Sequence, residues 1–322
     1  MPQPTPRDVH IDAALTNISV AYVQNANNFI ADKVFPVVPV NKQSDKYFKY
    51  AKGNFFRDEA QRRAPATESA GSGIKLGTDT YFCEKWAFHK DVDDDTVANS
   101  DAGIDPFRDA SIFVQNSLLI RRERLFVDEY MKTGVWATDE VGGTNFAQWD
   151  DQATSDPSDD FKRARIKVLS TTGFKPNTLV VGYEVHEALK NHPLIKENFK
   201  YTGATSITAA MIANYLEVER YLVSEAIYTT SDETVADASL SMSFITGKNA
   251  LLCYSAPSPS LMQPTAGYVM SWSGLTGINN AGIATSRFRM EHLKADRVET
   301  EMAIDMKLVA ADMGFFFSGC VA

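Results

Sequence analysis

Cysteine is scarce in this chain. Three residues in 322 (Cys83, Cys253 and Cys320), far apart and odd in number, supply neither a disulfide framework nor a CxxC metal pair, and the compartment expected is a reducing one. Histidine is almost as rare. His186 and His192 do not stand at the i,i+4 spacing of a zinc-binding helix, and Glu187 does not rescue the pattern. Long apolar runs are missing too: nothing approaches the ~18 residues of a membrane span. The opening MPQPTPRDVHID has no apolar core of a signal peptide. A soluble product with no membrane partner is expected. Positive charge is short as well. A net charge of −9 and a pI near 5.1 argue against a general nucleic-acid binder, which needs excess cations to release counterions. No internal repeat is present.

Motifs that carry chemistry are also wanting. Asp91–Thr96 (DVDDDT) resembles the start of a calcium loop, but Thr96 stands where glycine is needed and Ala102 where the bidentate glutamate is needed. The block reads as a solvated acidic linker, and no partner carboxylates support a metal nuclease. Gly71-Ser72-Gly73, with Lys75 and Gly77, hints at a phosphate loop. It lacks the Gly-Lys-Ser/Thr ending and a helix N-terminus behind it. Ser271 fills the glycine position that a nucleophile elbow at Ser273 would require. No catalytic, cofactor-binding or metal residue is expected, and no cofactor.

What the chain does hold is a distinctive order of elements. Pro106–Thr133 is the longest helical pattern. Asp105 is its N-cap, Pro106 sits at the tolerant first position, Asp109 lies in the first turn, and Gly134 is the stop signal. At ~1.5 Å per residue this makes a rod of roughly 40 Å. Its apolar residues (Phe107, Val114, Leu118, Leu125, Phe126, Tyr130) drift around the axis, and Arg121, Arg122 and Arg124 interrupt them. That suits a spine lying across a sheet. The sheet is predicted from the chain end, where Val298, Thr300, Met302, Ile304, Met306 and Leu308 alternate with Arg297, Glu299, Glu301, Ala303, Asp305 and Lys307. Ile283–Met290 is its antiparallel partner.

Between spine and sheet lies an α/β stretch. A helix capped by Asp156-Pro157 and stopped at Gly173 leads to a strand at Thr178–Gly182, then a helix over Tyr183–Asn191. A helix over Ile207–Leu216, a strand at Arg220–Ser224, and a hairpin of Leu240–Ile245 with Ala250–Tyr254 follow. Val135–Ser155 reads as a connector. Upstream of the spine, Asp45–Tyr50 and Thr78–Phe88 read as strands. The long polar segment between them is rare in a compact domain unless functional or disordered, so an extended hairpin reaching away from the body is expected. Six cations (Lys46, Lys49, Lys52, Arg57, Arg62, Arg63) against Asp58 and Glu59 give it a local +4. The linker that follows carries Asp91, Asp93, Asp94, Asp95, Asp101, Asp105 and Asp109 against Arg108, a local −6. The Pro-rich start, through Pro36 and Pro39, cannot form a core alone and is expected to fray unless something outside it holds it down.

Taken in order, NNFIADKVFPVVPV, KYFKYAKGNFFRDEAQRRAP, DPFRDASIFVQNSLLIRRERL, TTGFKPNTLVVGYEVHEALKNHPLIKE and the alternating C-terminal strand resemble the major capsid proteins of tailed double-stranded DNA bacteriophages, which have the Hong Kong 97-type fold. The resemblance implies an α+β chain with an N-terminal arm (1–43), an extended β-hairpin loop (44–90), a peripheral domain (91–155 and 266–322) carrying the spine (106–133) on an antiparallel sheet, and an inserted α/β axial domain (156–265). It implies many copies joined as pentamers and hexamers in an icosahedral shell around double-stranded DNA, without sequence-specific binding. The shell would be part of a virion assembled in the host bacterial cytoplasm. Because the sequence begins at the arm, a separate scaffolding protein is expected, together with a portal and a decoration protein. Subunit contacts are expected at Phe55, Phe56, Arg57, Arg62 and Arg63 on the hairpin and at Asp93, Asp94 and Asp95 on the linker. Two rivals stand beside this reading. One is an encapsulin-like nanocompartment shell; the other is a soluble α/β enzyme whose long loop is a lid.

Overall fold

The computed structural model describes residues 23–100, 105–200, 207–232, 234–236, 239–259, 263–274 and 282–322. The start of the arm, Ala102 of the calcium-like pattern and part of the loop after Tyr254 lie outside them. From the arm the chain forms a one-turn helix α1 (Ala31–Val34) and a short strand β1 (Val37–Val40). A ribbon of β2 (Ser44–Tyr50) and β3 (Leu76–Phe82) comes next, then the long strand β4 (Glu84–Asp93), which runs into α2 (Asp94–Ala98). The spine α3 (Pro106–Tyr130) is followed by β5 (Asp139–Val141), α4 (Pro157–Thr172), β6 (Thr178–Gly182), α5 (Tyr183–Asn191), α6 (Pro193–Phe199), α7 (Ala209–Tyr215) and β7 (Arg220–Ser224). The remainder is β8 (Ile227–Thr229), β9 (Met242–Phe244), β10 (Ala250–Cys253), β11 (Gly267–Trp272), β12 (Ile283–Met290), β13 (Ala295–Leu308) and β14 (Gly314–Ser318).

The spine starts as its residues dictate: the Asp105 carboxylate accepts from the N–H groups of Phe107 and Arg108, satisfying two of the donors a helix start leaves open. It stops at Tyr130 rather than Thr133. Met131 turns into the core, and the Trp136 indole donates to the Tyr130 carbonyl at 2.7 Å, so the last turn is closed by a side chain before Gly134 is reached. Along its length the helix serves two sheets. Ala110 and Val114 pack on Val92 of β4 and Val298 of β13. Further on, Leu118, Phe126 and Tyr130 pack among Met302 and Ile304 of β13, and also among Val180, Leu251 and Phe316 of a different sheet.

In the first sheet, β13 is the axis. One edge pairs with β4 over residues 295–304; the other is shared by β12 (295–302) and β11 (304–308), and parallel β1 extends β11. The alternation of β13 is obeyed: Val298, Thr300, Met302 and Ile304 are buried toward the spine. The strand expected at Thr78–Phe88 is in fact two, broken at Cys83. β3 pairs with β2, whereas β4 belongs to the main sheet.

The second sheet runs β5-β14-β10-β6-β7, so it draws β5 from the expected connector and β14 from the chain end. The hairpin expected over 240–254 does not form. Ala250–Cys253 is buried at every residue, and such a strand needs neighbours on both edges; it takes β14 and β6. Its supposed mate, β9, pairs with β8 instead. One face of this sheet (Leu179, Val181, Leu252, Phe315, Phe317) meets α4, α5, α6 and α7, together with Trp149 and Phe146. The other face meets the spine. Helix α4 follows its signals closely, with Asp156 as N-cap and Gly173 as a left-handed stop at φ +77°.

The arm does not fray where it is described. Phe29, Ile30, Ala31, Val34 and Phe35 are buried. One oxygen of the buried Glu123 carboxylate, on the spine, accepts from the N–H groups of Ile30 and Ala31, both at 2.9 Å; the other accepts from the Ser224 hydroxyl at 3.1 Å. At the opposite end of α1, the Arg220 guanidinium donates to the carbonyls of Lys33 (2.8 Å) and Val34 (3.3 Å), and the Ser255 hydroxyl donates to Val34 at 2.6 Å. A carboxylate at the N-terminus and a guanidinium at the C-terminus of one helical turn match the sign of its dipole. The clamp comes from spine and second sheet, far away in sequence, which is why the segment looked unsupported.

A candidate assembly surface on the ribbon and its flanks

The β2–β3 ribbon leaves the body at Cys83. Its pairing (Ser44↔Phe82, Phe48↔Thr78, Tyr50↔Leu76) puts Phe48, Tyr50, Leu76 and Phe82 on one face. Tyr47 and Tyr81 occupy the other face, which packs at its base on Cys83, Met270, Ala284 and Ala303. Apart from Tyr50, which is half-buried against Phe55, the large side chains of the first face lie open: Phe48 is 64% exposed and Phe82 55%. Ile74, Leu76, Phe55 and Phe56 are exposed as well. So many large apolar side chains open to water on one projection make it the candidate interaction surface.

Beyond the ribbon, the tip (51–75) carries the expected contact residues. Phe55 stacks edge-on against Tyr50 with ring centroids 6.1 Å apart. Arg57 meets Glu59 at 3.7 Å, and Arg63 donates to the Thr67 carbonyl at 2.5 Å; Arg62 is exposed. The tip does not simply reach away from the body. Lys52 pairs with Asp312 at 2.5 Å, and the Phe56 ring lies over Gly173, where an added Cβ would stand 3.1 Å from it.

The acidic block is less available than its charge suggests. Asp93 is the N-cap of α2, accepting from the N–H and hydroxyl of Thr96. Arg289 of β12 grips Asp94 with two hydrogen bonds, 2.6 and 2.7 Å, and Arg297 of β13 grips Asp91 likewise at 2.7 and 2.9 Å. Hydrogen bonds from these arginines hold both carboxyls below the usual carboxylate range. Asp95 stays exposed. The structure therefore brings Asp93 and Asp94 to partners in their own chain, separate from the hairpin arginines. Sequence reasoning could not see this, because the arginines stand about two hundred residues away on strands whose register only the sheet sets.

Two arrangements among the described residues invite a catalytic reading, and neither has the geometry for it. Burial pushes the Cys83 thiol up to about 11 and Cys253 up to about 12, so neither presents a thiolate. A buried Ser155–His192 contact at 3.0 Å resembles half of a triad. However, the Ser155 hydroxyl already donates to the Asp151 carbonyl at 2.5 Å. His192 must therefore donate to it through Nε2, the reverse of a general base. No group of three metal-ligating side chains is present among the described residues, and no helix there is long and apolar enough to cross a membrane.

Comparisons with known proteins give the surface its context. No family model matches the chain. The major capsid protein of Burkholderia phage BcepMu is 25% identical over 96% of both chains. That of Pseudomonas phage JBD67 is 26% identical over 97% of both. Among solved structures, a phage-related protein from Bordetella bronchiseptica RB50 superposes with a TM-score of 0.68 at 22% identity, covering 92% of this chain and 93% of that one. The capsid of cyanophage P-SCSP1u gives 0.59 at 10% identity over 94% and 90%. An encapsulin from Synechococcus elongatus PCC 7942 gives 0.53 at 9% over 95% and 92%. The chain is thus similar, along nearly its whole length, to the major capsid proteins of bacteriophages, and it has the Hong Kong 97-type fold of capsid shells.

Proposed function

We propose that this chain is the major capsid protein of a tailed bacteriophage, closing as pentamers and hexamers into an icosahedral shell around packaged double-stranded DNA. The observation that carries the reading is the coincidence of two facts. Similarity to phage capsid proteins covers 96–97% of the chain, and the subunit leaves Phe48, Leu76 and Phe82 exposed on one ribbon face. A lone subunit gains nothing from that face; a shell of copies covers it. The overall charge of −9 is compatible with a container, since a strongly basic lining would hold DNA too firmly for release. A separate scaffolding protein, a portal and a decoration protein are the partners this reading calls for. Assembly takes place in the host cytoplasm.

Electron microscopy and sedimentation of the protein, expressed alone and with its neighbouring genes, test the proposal. Closed shells or ring-shaped capsomers are the expected result. A chain that stays monomeric even beside its scaffolding partner would sink it. The nanocompartment reading is kept as the alternative because an encapsulin shares the fold. Its mark is a cargo gene in place of portal and terminase genes. Within the shell, the hairpin arginines set register more than affinity: Arg62→Glu with Arg63→Glu should impair closure while leaving the subunit folded, read by microscopy beside circular dichroism. Since Asp91 and Asp94 are gripped in their own chain, Asp95 and the exposed Asp109 are the better acidic partners for them.

A further inference from the structure

Glu123 is fully buried on the spine, and the arm helps to bury it. Two of its three hydrogen-bond donors, the N–H groups of Ile30 and Ala31, belong to the arm; the third is the Ser224 hydroxyl at the end of β7. None of the three carries a charge. A carboxyl taken out of water and given neutral donors is driven toward its protonated form. The charged groups around it do not reverse that drive. Asp32 on α1 repels the carboxylate, and Arg122, the neighbouring spine residue, is itself buried and attracts it. Lys33 reaches the Asn27 carbonyl, Arg220 is committed to the far end of α1, and Glu225 is exposed. One helical turn to either side, Leu119 and Val127 join an apolar cluster with Phe29, Ala226 and Ile245; Tyr228 at its edge lies under Arg124. Burial outweighs the rest and holds the Glu123 carboxyl above the usual carboxylate range.

The seat accepts both forms of the side chain. A proton on the oxygen facing Ser224 lets the carboxyl donate to that hydroxyl, which turns from donor to acceptor. The other oxygen keeps both arm N–H groups. Lifting the arm exposes the carboxyl to water and returns it to its ordinary proton affinity. It also breaks the Arg220 and Ser255 bonds to α1, the Glu225 N–H bond to the Asn28 carbonyl, and the two bonds that join the Gln24 amide to Ile227. Those bonds make lifting rare. None of their donors or acceptors titrates between mild acid and neutral pH, so they leave its pH dependence to the carboxyl.

We infer that seating the arm takes up a proton at Glu123, which makes the arm a latch that holds more firmly in mild acid than at neutral or alkaline pH. The seated carboxyl binds its proton more tightly than the freed one. The added hold is therefore complete below the ordinary carboxylate value and is lost as pH rises through the higher, seated value. Between the two, the opening constant rises by up to about tenfold per pH unit. The latch belongs to the single chain and stands or falls separately from the shell reading.

Hydrogen exchange of the full chain, read by mass spectrometry in the peptide over Phe29–Phe35 and corrected for intrinsic rates, tests it from about pH 5 to about pH 8. Protection should fall by about tenfold or more across that span. In Glu123→Gln, which keeps an acceptor for both N–H groups and an amide for Ser224, it should stay level. Protection that is level or rises with pH in the unmodified chain overturns the latch, and an equal fall in the variant removes Glu123 from it. Should the variant fail to seat the arm at any pH, infrared spectra of the unmodified chain with isotope-labelled glutamate decide. A protonated-carboxyl band that persists above the usual carboxylate range and is missing from Glu123→Gln upholds the latch; no such band overturns it.

Discussion

The second sheet and the β2–β3 ribbon use similar side chains to opposite ends. In the sheet, Phe315, Phe316 and Phe317 point alternately to two cores, and all three are buried. In the ribbon, Phe48 and Phe82 stand on one face with nothing over them. Composition does not separate the two; number of covered faces does. A sheet covered on both faces makes the subunit, because its burial removes apolar area from water in a single chain. A ribbon covered mainly at its base adds little to subunit stability and leaves apolar area exposed, which the proposed shell would cover. Large effects on folding should therefore fall in the sheet, and large effects on assembly in the ribbon.

The sharpest break is Phe317→Ala against a ribbon pair. Phe317 is surrounded by the rings of Phe146, Trp149, Phe161 and Phe315, with centroids 4.8–5.5 Å away. Its truncation should remove about 3–5 kcal/mol of subunit stability, read by urea unfolding. Phe48→Ser with Phe82→Ser should shift the same curve by no more than about 0.5 kcal/mol per site while abolishing shells in the microscope. If the ribbon variant unfolds the subunit, the contrast drawn here is wrong.

Next in size is Glu123→Ala, which strips the arm clamp of its acceptor and leaves two buried N–H groups without partners. A loss of about 2–3 kcal/mol is expected, with new proteolytic cleavage near Phe29–Phe35. That cleavage pattern would place the arm with the sheet and not with the ribbon.

A smaller effect is the pH response of the buried histidines. Burial holds His186 and His192 below their usual value near 6.5. The folded state thus binds their protons less readily than the unfolded chain. Their contribution is complete above pH 6.5 and is lost as pH falls below it. His192→Gln should flatten the fall in unfolding free energy on that side; an unchanged slope would remove His192 from the account. The smallest effect belongs to the ion pairs of the first sheet. Arg289→Ala frees an exposed carboxylate, Asp94, that Arg289 holds low. The pair supports the fold above the usual carboxylate range and is lost as pH falls through it, so the variant should lose slight stability near neutrality and none in acid or in high salt.

Local signals were legible wherever neighbours in sequence decide the outcome. Asp105, Asp156 and Gly173 announced helix ends that the structure keeps, and the alternation of β13 announced a half-buried strand. The spine's C-terminus was not legible, since the group that closes it, the Trp136 indole, comes back from a turn further on. Nor was β14: a continuous apolar run, GFFFS, has no period to read. Of the candidate contact residues, the exposed phenylalanines of the tip stay open, whereas Asp93 and Asp94 turned out to be engaged within the chain.

By itself, then, the amino-acid sequence determined the order of elements, the charge of the hairpin and its linker, and the presence of an arm and a loop that cannot form a core alone. Capping, alternation and composition are properties of adjacent residues. Tertiary structure alone decided that one helix covers two sheets, that β10 lies between β14 and β6, that Glu123 and Arg220 clamp the arm, and that Phe48 and Phe82 remain uncovered. Each of these depends on which distant segments meet, and burial of apolar area, being non-directional, leaves that choice to the packing of the whole chain.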